Sequence, residues 1–206
     1  MRKLPLALLS ALALALPSVA EAAPDTSCFG GYGVEFTVVG TARADVLVGT
    51  PGPDAIYGAG GNDLILGRGG DDLLCGGSGN DHIDGGAGAD QTDGDRGHDV
   101  VIGGTGGDSV TGGYASDERG DDTLIGGPGD DWVAYPGDGQ NRLFGGDGND
   151  QVQGGAEDDL LSGGRGNDEL DGYLGNDRGT GGPGTDTCGR LEWSLGCELA
   201  LFPDIP

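Results

Sequence analysis

Asp returns every nine residues over most of this chain, at Asp45, Asp54, Asp63, Asp72, Asp81, Asp90, Asp99 and Asp108. The register restarts at Asp122 and Asp131, takes in one extra residue at Tyr135, and gives its next slot to Asn141. It then runs on through Asp150, Asp159, Asp168, Asp177 and Asp186. A carboxylate is a hard oxygen donor, so a fold that stacks such a row offers side chains suited to hard cations. Glycosidase-type catalysis needs a single pair of carboxylates. Adjacent acids such as Asp71-Asp72 and Asp130-Asp131 are better read as one solvated position beside one position in register.

No other chemistry is legible. His82 and His98 fall in different repeats, with no cysteine pair or HExxH spacing near them, and read as exposed variable positions instead of zinc ligands. Gly107-Asp108-Ser109 looks like the start of a lipase motif, yet Asp108 is in register and nothing matches the rest of a triad. An EF-hand is excluded, because no D-x-D-x-D-G loop ends in the required Glu. The expectation is a protein that is not an enzyme.

The elements that position the acids follow from the rest of the unit. Two residues after each in-register Asp stands an aliphatic residue, from Leu47, Ile56 and Ile65 to Leu161 and Leu170, with Thr92 a polar exception. The unit is G-G-x-G-x-D-x-U-x with U aliphatic; GGSGNDHID, GGPGDDWVA, GGDGNDQVQ and GGRGNDELD are clean copies. Its glycines make a turn in which positive φ is cheap. The x-U-x triplet is long enough for a short strand with U on one face. Turn, strand, turn, strand closes a coil of eighteen residues. The predicted fold is all-β, a parallel β-roll solenoid with a core one side chain thick.

Such a core is too thin to hold itself together. Coils stack at the ~4.8 Å strand spacing, where two carboxylates repel by about 0.9 kcal/mol in bulk water and several-fold more near a protein surface. The metal-free chain is therefore expected to be largely unfolded, and a divalent ion between stacked turns reverses the sign of that interaction. Carboxylate and carbonyl oxygens suit calcium, whose oxygen shell is larger and more flexible than that of magnesium.

The unit resembles the haemolysin-type calcium-binding repeat family, also called RTX. The resemblance implies multiple Ca2+ ions, each held between turns two repeats apart by Asp side chains and Gly-rich backbone carbonyls. The ligands implied here are Asp54, Asp63, Asp72, Asp81, Asp90, Asp99, Asp108, Asp122, Asp131, Asp150, Asp159, Asp168, Asp177 and Asp186. Folding is then calcium binding. Family members are often large toxins, proteases or lipases with the repeats as a C-terminal module; here the repeats leave no room for a catalytic domain.

Several positions depart from the unit. Thr41 and Arg43 stand where glycines belong in the first repeat, and Glu157 replaces a fourth-position glycine. Asn141, a neutral donor, is expected to weaken its site. Gly179 and Cys188 occupy U positions, so the core is expected to thin toward its end. Between Val110 and Leu124 five extra residues interrupt the register, and both Asp117 and Asp122 compete to continue the ligand row. Arg119-Gly120-Asp121 in that stretch reads as a bulge and not as an adhesive tripeptide.

Outward positions of the early repeats are apolar: Val46, Val48, Tyr57, Leu64, Leu66 and Leu73. A patch of this kind needs cover, and the N-terminal segment CFGGYGVEFTVVG is the expected cap over it and over the first strand edge. Four cysteines allow three pairings. Cys28 with Cys75 would tie the cap to the outer face, and Cys188 with Cys197 would close the tail, where Trp193 and nearby leucines are expected to lid the far end.

Composition sets the class. Forty-eight glycines and 5% aromatics in 206 residues leave little to pack. Arg2 and Lys3 precede the apolar run LPLALLSALALALP and small residues around Ala22, the pattern of a secretory signal peptide that is too short to span a bilayer. Without it the chain has no lysine and eight arginines against a large excess of Asp, which excludes nucleic acid and anionic lipid as partners. The expected organisation is a signal peptide at 1–22, an N-terminal cap at 23–39, a first roll block at 40–116, a junction at 117–125, a second block at 126–189 and a C-terminal cap at 190–206. The expected function is a secreted, extracellular, non-enzymatic calcium-binding repeat protein. The competing expectation is a calcium-rigidified adhesin or glycan-binding module that displays Tyr57, Trp132 and Phe144 to a cell-surface partner.

Overall fold

A computed structural model describes residues 35–113, 120–135 and 137–199. The predicted signal peptide, most of the N-terminal cap with Cys28, and Asp117 and Arg119 of the junction lie outside the described residues. The described residues form nineteen strands and no helix. In chain order these begin with β1 (Val38–Val39), β2 (Val46–Val48), β3 (Ala55–Tyr57), β4 (Leu64–Gly69), β5 (Leu73–Ser78), β6 (His82–Ala87) and β7 (Gln91–Arg96). There follow β8 (Val100–Thr105), β9 (Ser109–Thr111), β10 (Thr123–Pro128), β11 (Trp132–Ala134), β12 (Arg142–Asp147) and β13 (Gln151–Gln153). The last are β14 (Leu160–Arg165), β15 (Glu169–Asp171), β16 (Arg178–Thr180), β17 (Thr187–Gly189), β18 (Trp193–Leu195) and β19 (Glu198–Leu199).

Odd-numbered strands make one parallel sheet of ten strands and even-numbered strands a second of nine, so the chain is the expected β-solenoid with two strands per coil. Most coils pair at an offset of eighteen, as Ala55 does with Leu73. At the junction Val100 pairs with Thr123, an offset of 23, and past Tyr135 Thr123 pairs with Arg142, an offset of 19. The sheets thus run unbroken across both insertions. Strands such as β4, β6 and β12 are six residues long instead of the three that the x-U-x triplet predicts. The turn glycines continue the ladder, Gly86 opposite Arg68 and Gly146 opposite Gly127, because a parallel stack offers every turn an identical partner.

The interior is the predicted single file. Ile56, Ile65, Leu74, Ile83, Val101, Val110, Leu124, Val133, Leu143, Val152, Leu161 and Leu170 are fully buried in one cluster that also takes in Cys188. Thr92 shares that file and is buried as well, its hydroxyl placed on the Ser109 carbonyl at 3.4 Å. The expected thinning at Gly179 is filled from the tail: a Cβ there would meet the Leu191 side chain, which packs on the core. Trp193 and Leu195 do not lid the end as expected, each being 61% exposed. They lie in β18, whose alternation turns them outward, and the Cys188–Cys197 disulfide with Leu191 closes the core instead.

The cover over the outer apolar face is also redistributed. Phe36 packs on Tyr57 with ring centroids 5.3 Å apart, and Tyr57 and Cys75 are buried beneath this contact. Tyr57 is therefore not displayed to a partner. Val46 and Val48 belong to β2 in the other sheet and stay exposed, Val46 at 68%. Cys75 is disulfide-bonded; its expected partner, Cys28, lies outside the described residues.

Candidate metal centre

The in-register acids fall into two columns, one on each edge of the roll. Turns entering the ten-stranded sheet carry Asp54, Asp72, Asp90, Asp108, Asp131, Asp150, Asp168 and Asp186, which define the first edge. Turns entering the nine-stranded sheet carry Asp45, Asp63, Asp81, Asp99, Asp122, Asn141, Asp159 and Asp177, the second edge. Asp122, and not Asp117, continues the column across the junction: the Asp99 N–H donates to Asp122 Oδ1 at 2.7 Å.

Each column is a ladder. The backbone N–H of one Asp donates to Oδ1 of the Asp in the next coil, at 2.7 to 3.0 Å, from Asp54 to Asp186 and from Asp45 to Asp177. Oδ1 is thereby used and points along the roll. Oδ2 points elsewhere. In Asp63, Asp72, Asp81, Asp90, Asp99, Asp108, Asp122, Asp131, Asp150, Asp168, Asp177 and Asp186 it is buried without a hydrogen-bond partner. Buried polar atoms are ordinarily paired, so a regular row of orphaned carboxylate oxygens is a set of acceptors waiting for a positive charge.

What else faces those oxygens is visible from the glycine that opens each turn. A Cβ built on Gly94 would lie 2.6 Å from Asp99 Oδ2 and 2.8 Å from the Gly112 carbonyl oxygen. On the first edge a Cβ on Gly126 would similarly meet Asp131 Oδ2 and the Gly145 carbonyl. A carboxylate oxygen and a carbonyl of the next coil converge on one small space that any side chain would fill. Among the described residues no group of three or more His, Cys, Asp and Glu side chains is placed to hold an ion. The donors the structure does bring together, a carboxylate oxygen and a backbone carbonyl, are all oxygen, a chemistry that fits calcium.

Burial without a countercharge raises the affinity of these carboxyls for protons. Desolvation pushes Asp99 up to about 9, against the hydrogen bond from Asp81, with the Asp122 carboxylate adding to the rise. Asp122 and Asp150 are pushed up to about 7, and Asp81, Asp90, Asp108 and Asp159 to about 6, in each case chiefly by burial.

Two acids of the ligand set are already satisfied. Thr50 N–H donates to Asp54 Oδ2 at 2.5 Å, in the turn where Thr50 itself replaces the second-position glycine. Gly155 N–H donates to Asp159 Oδ2 at 2.7 Å, in the turn that carries Glu157. An outer ladder of fifth-position side chains runs beside the columns; Asn62 accepts from Asn80 N–H, Asn80 from His98 N–H, and His98 Nδ1 from Asp121 N–H. His98 thus belongs to the scaffold. Gly120 is buried against Gly97 of the preceding coil, and Asp121 joins the outer ladder of the restarted turn.

A family model described as RTX calcium-binding nonapeptide repeat (4 copies) matches residues 39–74, 74–101, 93–118, 135–170 and 153–188. No curated protein matches the chain.

Proposed function

From a chain that belongs to the family of RTX calcium-binding nonapeptide repeats, we infer a secreted, non-enzymatic β-roll whose folding is coupled to calcium held between its turns. The observation that carries this reading is the row of buried Asp Oδ2 atoms without partners, nine of the twelve sharing their cradle with a carbonyl of the next coil. The residues that would hold the ions are the Asp residues with such oxygens other than Asp122, whose cradle meets the Tyr135 ring instead. Bound there, calcium would supply the positive charge that offsets stacked carboxylates in a dry site. The protein's own part is to fix the donors: Oδ1 is pinned by the neighbouring N–H, which aims Oδ2. Secretion is supported by the N-terminal pattern of basic residues, apolar run and small residues.

The test is far-UV circular dichroism of the oxidised mature chain, titrated with calcium from a chelated start, with magnesium as control. A cooperative gain of β signal with calcium alone is expected. A fully folded spectrum under chelation refutes the coupling.

A further inference from the structure

The two edges are not equivalent. On the first edge Asp72, Asp90, Asp108, Asp131, Asp150, Asp168 and Asp186 keep their Oδ2 atoms free of hydrogen bonds without a gap. The second edge breaks in its middle. At Gly112 the space that elsewhere holds a carbonyl of the next coil is taken by the Tyr135 ring, whose Cδ2 and Cε2 sit there together with Asp122 Oδ2, the latter 2.6 Å from a Cβ built on Gly112. Tyr135 is 1% exposed. Its hydroxyl donates to the Asp138 carbonyl at 2.8 Å and its N–H to Gln153 at 3.0 Å, so the ring is held at both ends.

The next member of the column does not restore a site. Asn141 Oδ1 accepts from Asp122 N–H at 2.9 Å, while its Nδ2 donates to Gly139 O at 2.9 Å and to Asp159 Oδ1 at 3.1 Å. A side-chain nitrogen committed as a donor offers nothing to a cation. Donors that fit calcium along the rest of the roll therefore do not fit it here. An aromatic edge carries positive partial charge, and this edge shares the cradle of Asp122 with the carboxylate.

We propose that the Tyr135 ring occupies a cation position, dividing the ion row of the second edge into two separate runs while the first edge stays continuous. The inference rests on the calcium reading above. It also gives a role to a large buried residue in a first-position glycine slot, where Tyr135 stands in line with Gly112 and Gly154: its side chain enters a space that the regular unit keeps open.

Anomalous diffraction from calcium-loaded crystals of the full chain decides the matter without a variant. Ion peaks are expected beside Asp108, Asp131 and Asp150, and beside Asp99, with none on the second edge between Gly112 and Gly154. A peak beside Asp122, or a ring turned out of the roll, overturns the proposal while leaving calcium binding intact; no peak on either edge overturns calcium binding itself. In solution, equilibrium dialysis should count the same number of bound ions for Y135F, which keeps the ring, and a larger number for Y135G combined with N141D. An unchanged count in the folded double variant also overturns it.

Discussion

Arg68 shows how one residue can work against its turn. It stands in the second position of the unit with φ of 82°, where Gly77 and Gly86 stand at 95° and 105°. A side chain in that region costs about 1–2 kcal/mol relative to glycine, less the entropy glycine loses on folding. Arg68→Gly is expected to stabilise the roll by up to about 1 kcal/mol, read as a lower calcium midpoint in the dichroism titration. The aspartates give a second prediction. Their folded pKa values lie above the ordinary value near 4, so their contribution to the metal-free roll is complete below about pH 4 and is lost as pH rises through 6 to 9. Calcium needs the ionised form, so a metal-free roll that is already folded must release protons to bind it, whereas an unfolded chain carries carboxyls that are ionised well below neutral pH. Because folding accompanies binding, calorimetry at pH 6.5 in buffers of different ionisation enthalpy is expected to give heats independent of the buffer; buffer-dependent heats that report proton release would show a metal-free chain already folded.

At the scale of the strand, one interior side chain serves a whole coil. Leu143 in β12 is fully buried, and Leu143→Ala is expected to cost about 2–5 kcal/mol. The roll's cooperativity should spread that cost, raising the calcium midpoint of the entire transition. The disulfide acts locally. Reducing Cys188–Cys197 is expected to remove about 2–3 kcal/mol, with hydrogen-exchange protection falling first in β16 to β19. The strands, their order and their interior residues were legible because a strict period leaves each side chain one possible face. Asp122 could be placed only once the sheets were seen to cross the junction. Insertions and ends escape the rule: nothing in the nine-residue register says whether Tyr135 points in, or that Leu191 fills the gap left by Gly179. The burial of Tyr57 escaped for a related reason, since its cover, Phe36, comes from outside the repeats.

The whole molecule carries a formal charge of −25 and depends on what neutralises it. Chelation is expected to expand it toward the radius of gyration of a random chain of this length, about 45–50 Å, in small-angle scattering; a compact, unchanged profile would show that the disulfides and the aliphatic file suffice. Because the roll is a stack of parallel coils, it also has a mechanical character. Each coil adds only ~4.8 Å to the folded length, while its eighteen residues span roughly 60 Å when drawn straight. Pulled from its ends, the protein should pay out slack one coil at a time, lengthening about twelvefold over each segment that yields. The ions would then act as rivets that set the force at which each coil lets go, and a tether of this kind would be stiff where calcium is plentiful and slack where it is scarce.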